Sequence, residues 1–299
     1  MEHIYDTLII GGGPAGYTAA LYAARGKAEV LVLEKISAGG QMTLTGEIDN
    51  YPGFEEGIDG FLLGEKMKKC AERFGAETRF AEVTGVDFTQ KIKKIYTSDG
   101  TFYGKTVVIA TGADPRRIGI ADEKELTGKG VHYCAHCDGI FYKDKRVVVV
   151  GGGNSAASEA LHLSRIASKV YLVHRRNSLK AEKYYYEPLS RMGNVEFIWD
   201  SVLTEIVSED RVTGAVIKNL NTGKTKTVDC EGIFIAIGRK PNTDFLGGAV
   251  ELDSGGYVVA GENTKTSAEG VFAAGDVRTK ELRQIATAVG DGAVAGSYL

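Results

Sequence analysis

The sequence predicts an α/β fold of two Rossmann-like dinucleotide-binding domains, the second inserted into the first and joined to it by two short hinge strands. Two observations lead to this prediction. Residues 8–35 and 148–175 align without a gap at an offset of 140 residues, and both stretches have the pattern strand, glycine-rich turn, helix, strand. Further apolar strands follow each copy, so the chain is expected to leave the first domain and return to it.

The two copies of the repeat share one plan. Apolar strands are predicted at residues 7–10 and 30–33 in the first copy and at 147–150 and 170–173 in the second. A helix of small residues follows each turn. The turns read Gly11-Gly12-Gly13-Pro14-Ala15-Gly16 and Gly151-Gly152-Gly153-Asn154-Ser155-Ala156.

This spacing of small residues is what a bound pyrophosphate requires between a strand and a helix. The first glycine permits the tight turn, the second lets backbone amides approach the phosphates, and the third small residue lets helix and strand pack closely. A single such turn also occurs for purely steric reasons. Two copies in register favour two dinucleotide sites.

The copies differ 23 positions after the first glycine, where a ribose is expected. The first copy has Glu34, and the second has His174-Arg175-Arg176. A carboxylate accepts hydrogen bonds from ribose hydroxyls and repels a 2′-phosphate, whereas two guanidinium groups bind that phosphate. The first site therefore suits FAD or NAD and the second suits NADPH, with Lys180 as a further cation. A solvent-exposed basic strand end is the alternative for the second cluster.

Bulk properties exclude several classes of protein. With 299 residues, 43% hydrophobic and 25% charged, the chain is long enough for two globular domains. A net charge of -3 without blocks of like charge argues against nucleic acid or a membrane surface as partner. Neither a targeting segment nor a membrane-spanning apolar run is recognisable, which predicts a cytoplasmic protein.

Apolar strands followed by glycine mark the domain limits. Such strands are predicted at 107–112, 232–237 and 270–274, and Asp114-Pro115 interrupts the pattern after the first. The first domain is therefore expected at residues 1–114 and 242–299, and the second at 115–241. Two short linkers near residues 114 and 241 would let the domains rotate as rigid bodies.

Four cysteines are too few for a disulfide scaffold. Cys70 and Cys230 lie alone in helix-like and strand-like segments, whereas Cys134 and Cys137 form a C-x-x-C motif. This motif fits a redox pair, half of a zinc site with His132 and His136, or two unrelated core thiols. Because no second ligand pair occurs downstream, we expect no metal and favour the redox pair.

Asp138 directly follows this motif, and Phe141-Tyr142 lie just beyond it. A carboxylate raises the pKa of a neighbouring thiol, so its useful role would be to give a proton to a departing thiolate and take it back. A helix N-cap is the alternative role for Asp138.

These motifs resemble the low-molecular-weight, bacterial-type thioredoxin reductases, class II members of the pyridine nucleotide-disulfide oxidoreductase family. The resemblance covers essentially the whole chain. It includes both glycine turns, Gly39-Gly40-Gln41, Asn50-Tyr51-Pro52-Gly53, Ala110-Thr111-Gly112, Cys134-Ala135-His136-Cys137-Asp138-Gly139, His174-Arg175-Arg176, Ala236-Ile237-Gly238-Arg239, Ala274-Gly275-Asp276 and Arg283-Gln284.

The resemblance implies a homodimer in which the first domain binds FAD and the inserted domain binds NADPH and carries the cysteines. It implies that Cys137 lies nearer the flavin, that Cys134 attacks the disulfide of a partner, and that Asp138 is the acid. Together with the turns, it implies FAD contacts at Gly11, Gly13, Pro14, Ala15, Gly16, Glu34, Gly40, Gln41, Asn50, Val83, Thr111, Gly112, Gly275, Asp276, Arg283, Gln284 and Ile285. The corresponding NADPH contacts are Gly151, Gly153, Asn154, Ser155, Ala156, His174, Arg175, Arg176, Lys180, Ile237 and Gly238.

The sequence departs from the family at two positions. His136 stands where the family most often has Thr, and Lys180 replaces an Arg. His136 could stabilise the Cys134 thiolate as a nearby cation, or be a loop residue without a role. Lys180 keeps the charge but loses the bidentate fork of an arginine.

The predicted function is that of an NADPH-dependent flavoprotein that reduces the disulfide of thioredoxin or a thioredoxin-like protein. The alternatives are a related reductase whose electrons come from ferredoxin, or one whose acceptor is a glutaredoxin-like or peroxiredoxin-linked protein. A dinucleotide-sensing or zinc-stabilised binding module is the alternative that is not an enzyme. Arg175 and Arg176 argue against ferredoxin as the donor.

Overall fold

The computed structural model describes residues 2–44 and 46–299. The chain divides into two compact units, the first formed by Met1–Asp114 and Lys240–Leu299 and the second by Pro115–Arg239. The second unit is thus an insertion in the first. The cofactor that each unit binds stays a prediction.

The first part of unit 1 contains seven strands and two helices among the described residues. They are β1 (Ile4–Ile10), α1 (Pro14–Arg25), β2 (Val30–Glu34), α2 (Gly60–Glu72), β3 (Glu77–Phe80), β4 (Val83–Asp87), β5 (Lys93–Thr97), β6 (Gly100–Ile109) and β7 (Ala113–Pro115), with a 3-10 turn at Gly40–Leu44.

The inserted unit follows, and the chain then returns to unit 1. The elements of the insertion are β8 (Val131–His132), α3 (Ala135–Asp138), β9 (Arg146–Val150), α4 (Asn154–Leu163), β10 (Lys169–Val173), α5 (Lys183–Ser190), β11 (Val195–Ile198), β12 (Ser201–Ser208), β13 (Val212–Asn219), β14 (Thr225–Asp229), β15 (Gly232–Ile235) and β16 (Arg239–Pro241). The return contributes β17 (Val271–Ala273) and α6 (Ile285–Gly296). Strands β7 and β16 pair with each other where the chain passes between the units.

The main sheet of unit 1 has the order β3-β2-β1-β6-β5-β4, with β17 also paired to β6. Strand β1 runs parallel to β2 and β6, with Ile10 opposite Leu33 and Ile109. Its last three residues are apolar because both faces of the sheet are covered there: Ile9 packs with α1 and α6, and Leu8 packs on the opposite side. The carboxyl ends of these strands therefore meet at one edge of a buried sheet.

The inserted unit repeats this design with a parallel sheet of order β11-β10-β9-β15-β8. Val150 of β9 lies opposite Val173 and Ile235. Helices α4 and α5 cover one face of the sheet, and the antiparallel sheet β12-β13-β14 covers the other. The two-domain Rossmann-like fold class predicted from the sequence is confirmed.

Some details of the predicted elements were wrong. The strands predicted to reach Gly112, Ile237 and Ala274 end earlier, at Ile109, Ile235 and Ala273. Cys230 lies between β14 and β15 and not in a strand, whereas Cys70 lies in α2 as expected. Among the described residues, no helix is both long and apolar enough to cross a membrane.

Candidate active site

The first glycine turn joins β1 to α1 and has no room for side chains at two of its glycines. Gly11 has a φ of 104°, and a Cβ atom there would collide with the carbonyl oxygen of Ala110. A Cβ at Gly16 would collide with the carbonyl oxygen of Gly11. Gly13, by contrast, faces open space at the N-terminus of α1. A ligand phosphate can therefore approach the backbone of Gly13.

Glu34 ends β2 beside this turn. Its Oε2 accepts the Gly12 N–H at 2.6 Å, and its Oε1 accepts the Ile36 N–H at 3.0 Å. A carboxylate held at the end of β2 is an acceptor for ribose hydroxyls, as predicted for FAD.

The 3-10 turn that begins at Gly40 lies against the glycine turn. The Gly39 N–H donates to the Gly12 carbonyl at 2.8 Å, and a Cβ at Gly40 would lie 3.4 Å from the Gly13 Cα. Gln41 follows and donates its side-chain amide to Asp114 at 2.7 Å. This contact holds the Gln41 side chain against β7, which contains Asp114.

Two further residues that are predicted to contact FAD bind each other, although they lie 234 residues apart in the sequence. The Asn50 amide donates to Gln284 Oε1 at 3.1 Å. Gln284 is also the N-cap of α6, in a capping box with Thr287, and Ile285 is the first residue of that helix. Ile285 packs against the apolar cluster that contains Ile48 and Ile58, and this packing places the start of α6 beside the loop that carries Asn50.

The remaining predicted FAD residues lie at strand ends in the same unit. Thr111 Oγ1 donates to the Asn242 carbonyl at 2.7 Å, and the Asn242 N–H donates to the Gly112 carbonyl at 3.1 Å. Val83 is the first residue of β4. The Asp276 carbonyl accepts a hydrogen bond from Arg283 Nε at 3.3 Å.

Asp291 was missed by the sequence analysis. Its buried carboxylate accepts the Gly275 N–H at 2.9 Å and binds Arg278 at 2.7 Å and Lys280 at 2.8 Å. Burial acts to raise the pKa of Asp291, but hydrogen bonds from Arg278, Lys280 and the Gly275 N–H outweigh it and hold the pKa below its ordinary value. This charged group fixes the Gly275 turn, whose φ is 79°.

The second glycine turn, between β9 and α4, repeats the first. Gly151 has a φ of 153°, and a Cβ there would collide with the carbonyl oxygen of Ala236. Gly153 faces open space at the N-terminus of α4, as Gly13 does in the first copy. Ala156 is fully buried at the position that corresponds to Gly16.

The predicted phosphate cluster divides into a buried part and an exposed part. The His174 ring is 8% exposed and covers Gly152, where a Cβ would collide with it. Burial, with smaller effects of Arg175 and Arg176, lowers the pKa of His174. The arginines and Lys180 are exposed, and the Lys180 N–H donates to the Gly152 carbonyl at 2.7 Å. Only the exposed cations can supply charge to a phosphate at neutral pH.

The second turn also presents features that fit a nucleotide. His174 Nε2 is buried and has no hydrogen-bond partner among the described residues. Asn154 exchanges two hydrogen bonds of 2.9 Å with Glu182, and Ser155 is exposed in the first turn of α4. Ile237 is 39% exposed, and Gly238 has a φ of 103°. An open helix N-terminus, an orphaned buried nitrogen and exposed arginines fit NADPH, as the open Gly13 and the held Glu34 fit FAD.

Cys134 and Cys137 form a disulfide with a Cα–Cα distance of 5.3 Å. Cys134 is the N-cap of the short helix α3 and Cys137 lies in it, so the helix sets their spacing. The other described cysteines are free, Cys70 exposed and Cys230 buried. The C-x-x-C motif is therefore a redox disulfide.

Asp138 is the last residue of α3 and occupies the N-cap position of the 3-10 helix Gly139–Tyr142, but its side chain makes no capping hydrogen bond there. Its Oδ2 lies 3.0 Å from Nδ1 of His132, whose Nε2 lies 2.7 Å from the Tyr142 hydroxyl. His132 was considered only as a zinc ligand, and Tyr142 only as part of an aromatic wall. The signal that links them is local, since all three lie within eleven residues of one another.

The structure also changes the interpretation of His136. Burial lowers its pKa, and its ring centroid lies 4.4 Å from that of His162, whose pKa burial also lowers. An uncharged imidazole does not stabilise a thiolate by charge at neutral pH. Among the described residues, no cluster of three or more His, Cys, Asp or Glu side chains could hold a metal ion.

Glu159 is a second residue that the sequence analysis missed. It lies on α4, which packs against α3, and its Oε2 is buried without a hydrogen-bond partner in the described part of the chain. Burial raises the pKa of Glu159 to about 8, against smaller opposing effects of Arg239 and of a hydrogen bond from the Ala135 N–H. A neutral carboxyl therefore lies under the redox helix at neutral pH.

Comparisons with known proteins agree with this geometry. Residues 5–292 match the family described as pyridine nucleotide-disulphide oxidoreductase. Thioredoxin reductase from Peptoclostridium litorale is 46% identical over 99% of this chain and 96% of its own, and that from Treponema pallidum is 42% identical over the same shares. The crystal structure of thioredoxin reductase from Streptococcus pyogenes covers 100% of this chain and 97% of its own, with 44% identity and a TM-score of 0.92. The resemblance found in the sequence is confirmed, and the chain belongs to the pyridine nucleotide-disulphide oxidoreductase family, among the thioredoxin reductases.

Proposed function

We propose that this chain uses NADPH and FAD to reduce the disulfide of thioredoxin or a thioredoxin-like protein through the Cys134–Cys137 pair. The observation that carries this proposal is that one unit holds a redox disulfide, an adjacent carboxylate and a dinucleotide turn with exposed arginines. Unit 1 supplies the second dinucleotide turn, with Glu34. A donor site, a relay site and a dithiol are what such a reductase needs.

The two turns define where the cofactors would bind. Gly13 and Glu34 would hold the pyrophosphate and ribose of FAD, and Gly153, Arg175 and Arg176 would hold NADPH. When bound, NADPH supplies a hydride and FAD passes two electrons to the disulfide. The side chains of the protein bind, orient and exchange protons.

Disulfide exchange then proceeds through the two thiols. The Cys134 thiolate attacks one sulfur of the partner disulfide, forming a mixed disulfide, and the displaced partner sulfur takes up a proton. Cys137 next gives its proton to Asp138 and attacks the Cys134 sulfur. The second partner sulfur leaves as a thiolate and receives that proton, so that two electrons and two protons have passed to the partner.

The assembly and the cell compartment belong to the same proposal. We infer a homodimer, a thioredoxin-like partner and a cytoplasmic location from the family. Light scattering of the purified protein tests the first, and activity towards thioredoxin-like proteins of the same genome tests the second. A basic pair that suits a 2′-phosphate supports NADPH as the donor in place of ferredoxin.

Anaerobic mixing with NADPH tests the proposed function directly. The flavin absorbance should bleach, and addition of oxidised thioredoxin should restore it. Cys137→Ser should keep bound FAD but lose thioredoxin reduction, because the mixed disulfide can no longer be resolved. Cys70→Ser is the matched control, since Cys70 is a free, exposed thiol, and it should keep full activity. Absence of bleaching, or thioredoxin reduction by Cys137→Ser, would refute the proposal.

A further inference from the structure

Three side chains form a chain of contacts that ends at the redox helix, and two of them, His132 and Tyr142, are buried. The Tyr142 hydroxyl lies 2.7 Å from His132 Nε2, and His132 Nδ1 lies 3.0 Å from Asp138 Oδ2. His132 is 8% exposed and Tyr142 is 4% exposed. Contacts of this length, excluded from water, orient the groups that make them.

The direction of the hydrogen bonds follows from the chemistry of the end groups. An ionised carboxylate only accepts, so His132 Nδ1 carries the hydrogen that is donated to Asp138. The neutral imidazole then has its lone pair on Nε2, which accepts from the Tyr142 hydroxyl. Burial raises the pKa of Tyr142 to about 12, so this hydroxyl keeps its proton. One tautomer of His132 satisfies both contacts.

The packing leaves His132 little freedom to rotate. Its ring stacks on Phe234 with a centroid distance of 5.2 Å, and Tyr142 meets the same Phe234 edge-on at 5.3 Å. Tyr142 fits there because Gly232 has no side chain, since a Cβ would collide with the tyrosine ring. Phe234 and Gly232 belong to β15, next to β8, which carries His132. The central sheet of the unit thus fixes the imidazole.

We propose that His132 and Tyr142 are positioning residues for disulfide exchange, which hold Asp138 by Oδ2 so that Oδ1 receives and returns the Cys137 proton. This inference rests on the proposed function. The proton moves from the Cys137 sulfur to Oδ1 and from there to the departing partner sulfur, while His132 keeps its own proton throughout. Electrons move only between the sulfurs.

A matched pair of amides separates the two contacts of His132. In His132→Asn the side-chain nitrogen takes the place of Nδ1 and can still donate to Asp138. In His132→Gln the longer side chain carries its amide to the place of Nε2, where the amide oxygen can accept from the Tyr142 hydroxyl, and the contact with Asp138 is lost. Both variants put a neutral amide at the same buried position, so a merely structural role of His132 predicts similar effects for both.

The experiment measures kcat and KM for thioredoxin reduction at saturating NADPH, per bound FAD. We expect His132→Gln to lose about 10-fold to 100-fold in kcat with little change in KM, and His132→Asn to stay within about threefold of the unmodified protein. Tyr142→Phe should fall between them. Tyr133→Phe is the control, because Tyr133 directly precedes Cys134 in the chain but its hydroxyl donates to Glu123 at 2.8 Å, outside this chain of contacts. It should keep full activity.

The outcomes separate the inference from the function on which it rests. If the unmodified protein fails to reduce thioredoxin with NADPH, the proposed function is wrong. If it does so and His132→Gln matches His132→Asn, or the loss falls on KM, the positioning role is wrong. Flavin content and the thermal midpoint of each variant exclude a folding defect as the cause.

Discussion

The two glycine turns share a backbone but differ in what covers Gly12 and Gly152. In both turns the first glycine lies under a carbonyl oxygen, that of Ala110 or of Ala236, and Gly13 or Gly153 faces open space at a helix N-terminus. Over Gly12 lies the Glu34 carboxylate, and over Gly152 lies the His174 ring. The backbone thus defines a dinucleotide site, and the residue at the end of the second strand decides which dinucleotide it suits.

The two units also differ in the carboxyl that each one buries. Asp291 of unit 1 is ionised and paired with Arg278 and Lys280, whereas Glu159 of unit 2 is neutral and its Oε2 has no partner among the described residues. A charge buried with cations fixes a turn, and a neutral acid can gain or lose a proton near neutral pH. Asp291, which stays ionised, lies by the predicted flavin site. Glu159, which can titrate, lies by the redox pair.

The same substitution in the two turns should have different consequences. Gly11→Ala and Gly151→Ala each force a side chain into a carbonyl oxygen, at a φ that costs an L-residue about 1–2 kcal/mol before the collision is counted. Gly11→Ala should be purified without flavin. Gly151→Ala should keep its flavin, but NADPH should no longer bleach it. The visible spectrum before and after anaerobic addition of NADPH measures both effects.

Alanine at glycines with open space provides the control. Gly290 of α6 and Gly193 of the inserted unit have negative or extended backbones, and a Cβ added to either would meet no atom within 4 Å, so Gly290→Ala and Gly193→Ala should behave as the unmodified protein. Flavin retained by Gly11→Ala would contradict the assignment of the first turn. Flavin lost from Gly151→Ala would contradict the independence of the two sites.

Removing the exposed arginines should make the second dinucleotide site lose its preference for a nucleotide with a 2′-phosphate. Replacement of both Arg175 and Arg176 by Ala should raise KM for NADPH about 10-fold to 100-fold, because each loses charge-assisted hydrogen bonds to the 2′-phosphate. KM for NADH should change less than about threefold, since NADH has no such phosphate. Steady-state kinetics with both nucleotides measure the ratio.

Arg191→Ala is the matched control, because Arg191 is an exposed arginine of the same unit. It should leave both KM values unchanged. Equal increases for NADPH and NADH in the double variant would mean that the arginines act on overall binding and do not select the phosphate.

The sequence predicted what local geometry requires. Both glycine turns and the strands that lead into them were found, because a tight turn under a carbonyl tolerates glycine alone and repeats at the same spacing. The redox pair was found because two cysteines three residues apart are also a local pattern. Contacts between distant segments leave no such local pattern: the turn at Gly275 is held by Asp291, and Asn50 meets Gln284, which lies 234 residues further along the chain.

The missed residues near the redox pair had weaker signals. His132 was noticed, but its imidazole was compatible with zinc until the structure placed Asp138 and Tyr142 on its two nitrogens. A glutamate on a helix is usually solvent-exposed, so the residue type of Glu159 did not predict a place in the site. Its helical spacing from the buried Ala156 and Leu163 was the signal that could have placed it on the packed face of α4.

Glu159 should make the stability of the protein fall as the pH rises. Its pKa is about 8 in the folded protein and about 4.5 when unfolded, so between these values the folded state keeps a proton that the unfolded state releases. This contribution is complete below about pH 4.5 and is lost as the pH rises through about 8, with a slope of at most about 1.4 kcal/mol per pH unit. Glu159→Gln, which has no ionisable proton, should lack this part of the slope.

Asp291 provides the contrast, because its pKa is shifted in the opposite direction. Its contribution is present above the ordinary aspartate pKa of 3.8 and is lost only as the pH falls through the lower folded value. Urea titrations at a series of pH values should therefore show Glu159→Gln gaining stability relative to the unmodified protein as the pH rises from about 4.5 to about 8. Asp291→Asn should differ from both throughout the neutral range, since it leaves Arg278 and Lys280 without their carboxylate. Parallel curves for Glu159→Gln and the unmodified protein between pH 5 and pH 8 would mean that Glu159 is already ionised in the folded state, and the buried carboxyls of the two units would then not differ in charge.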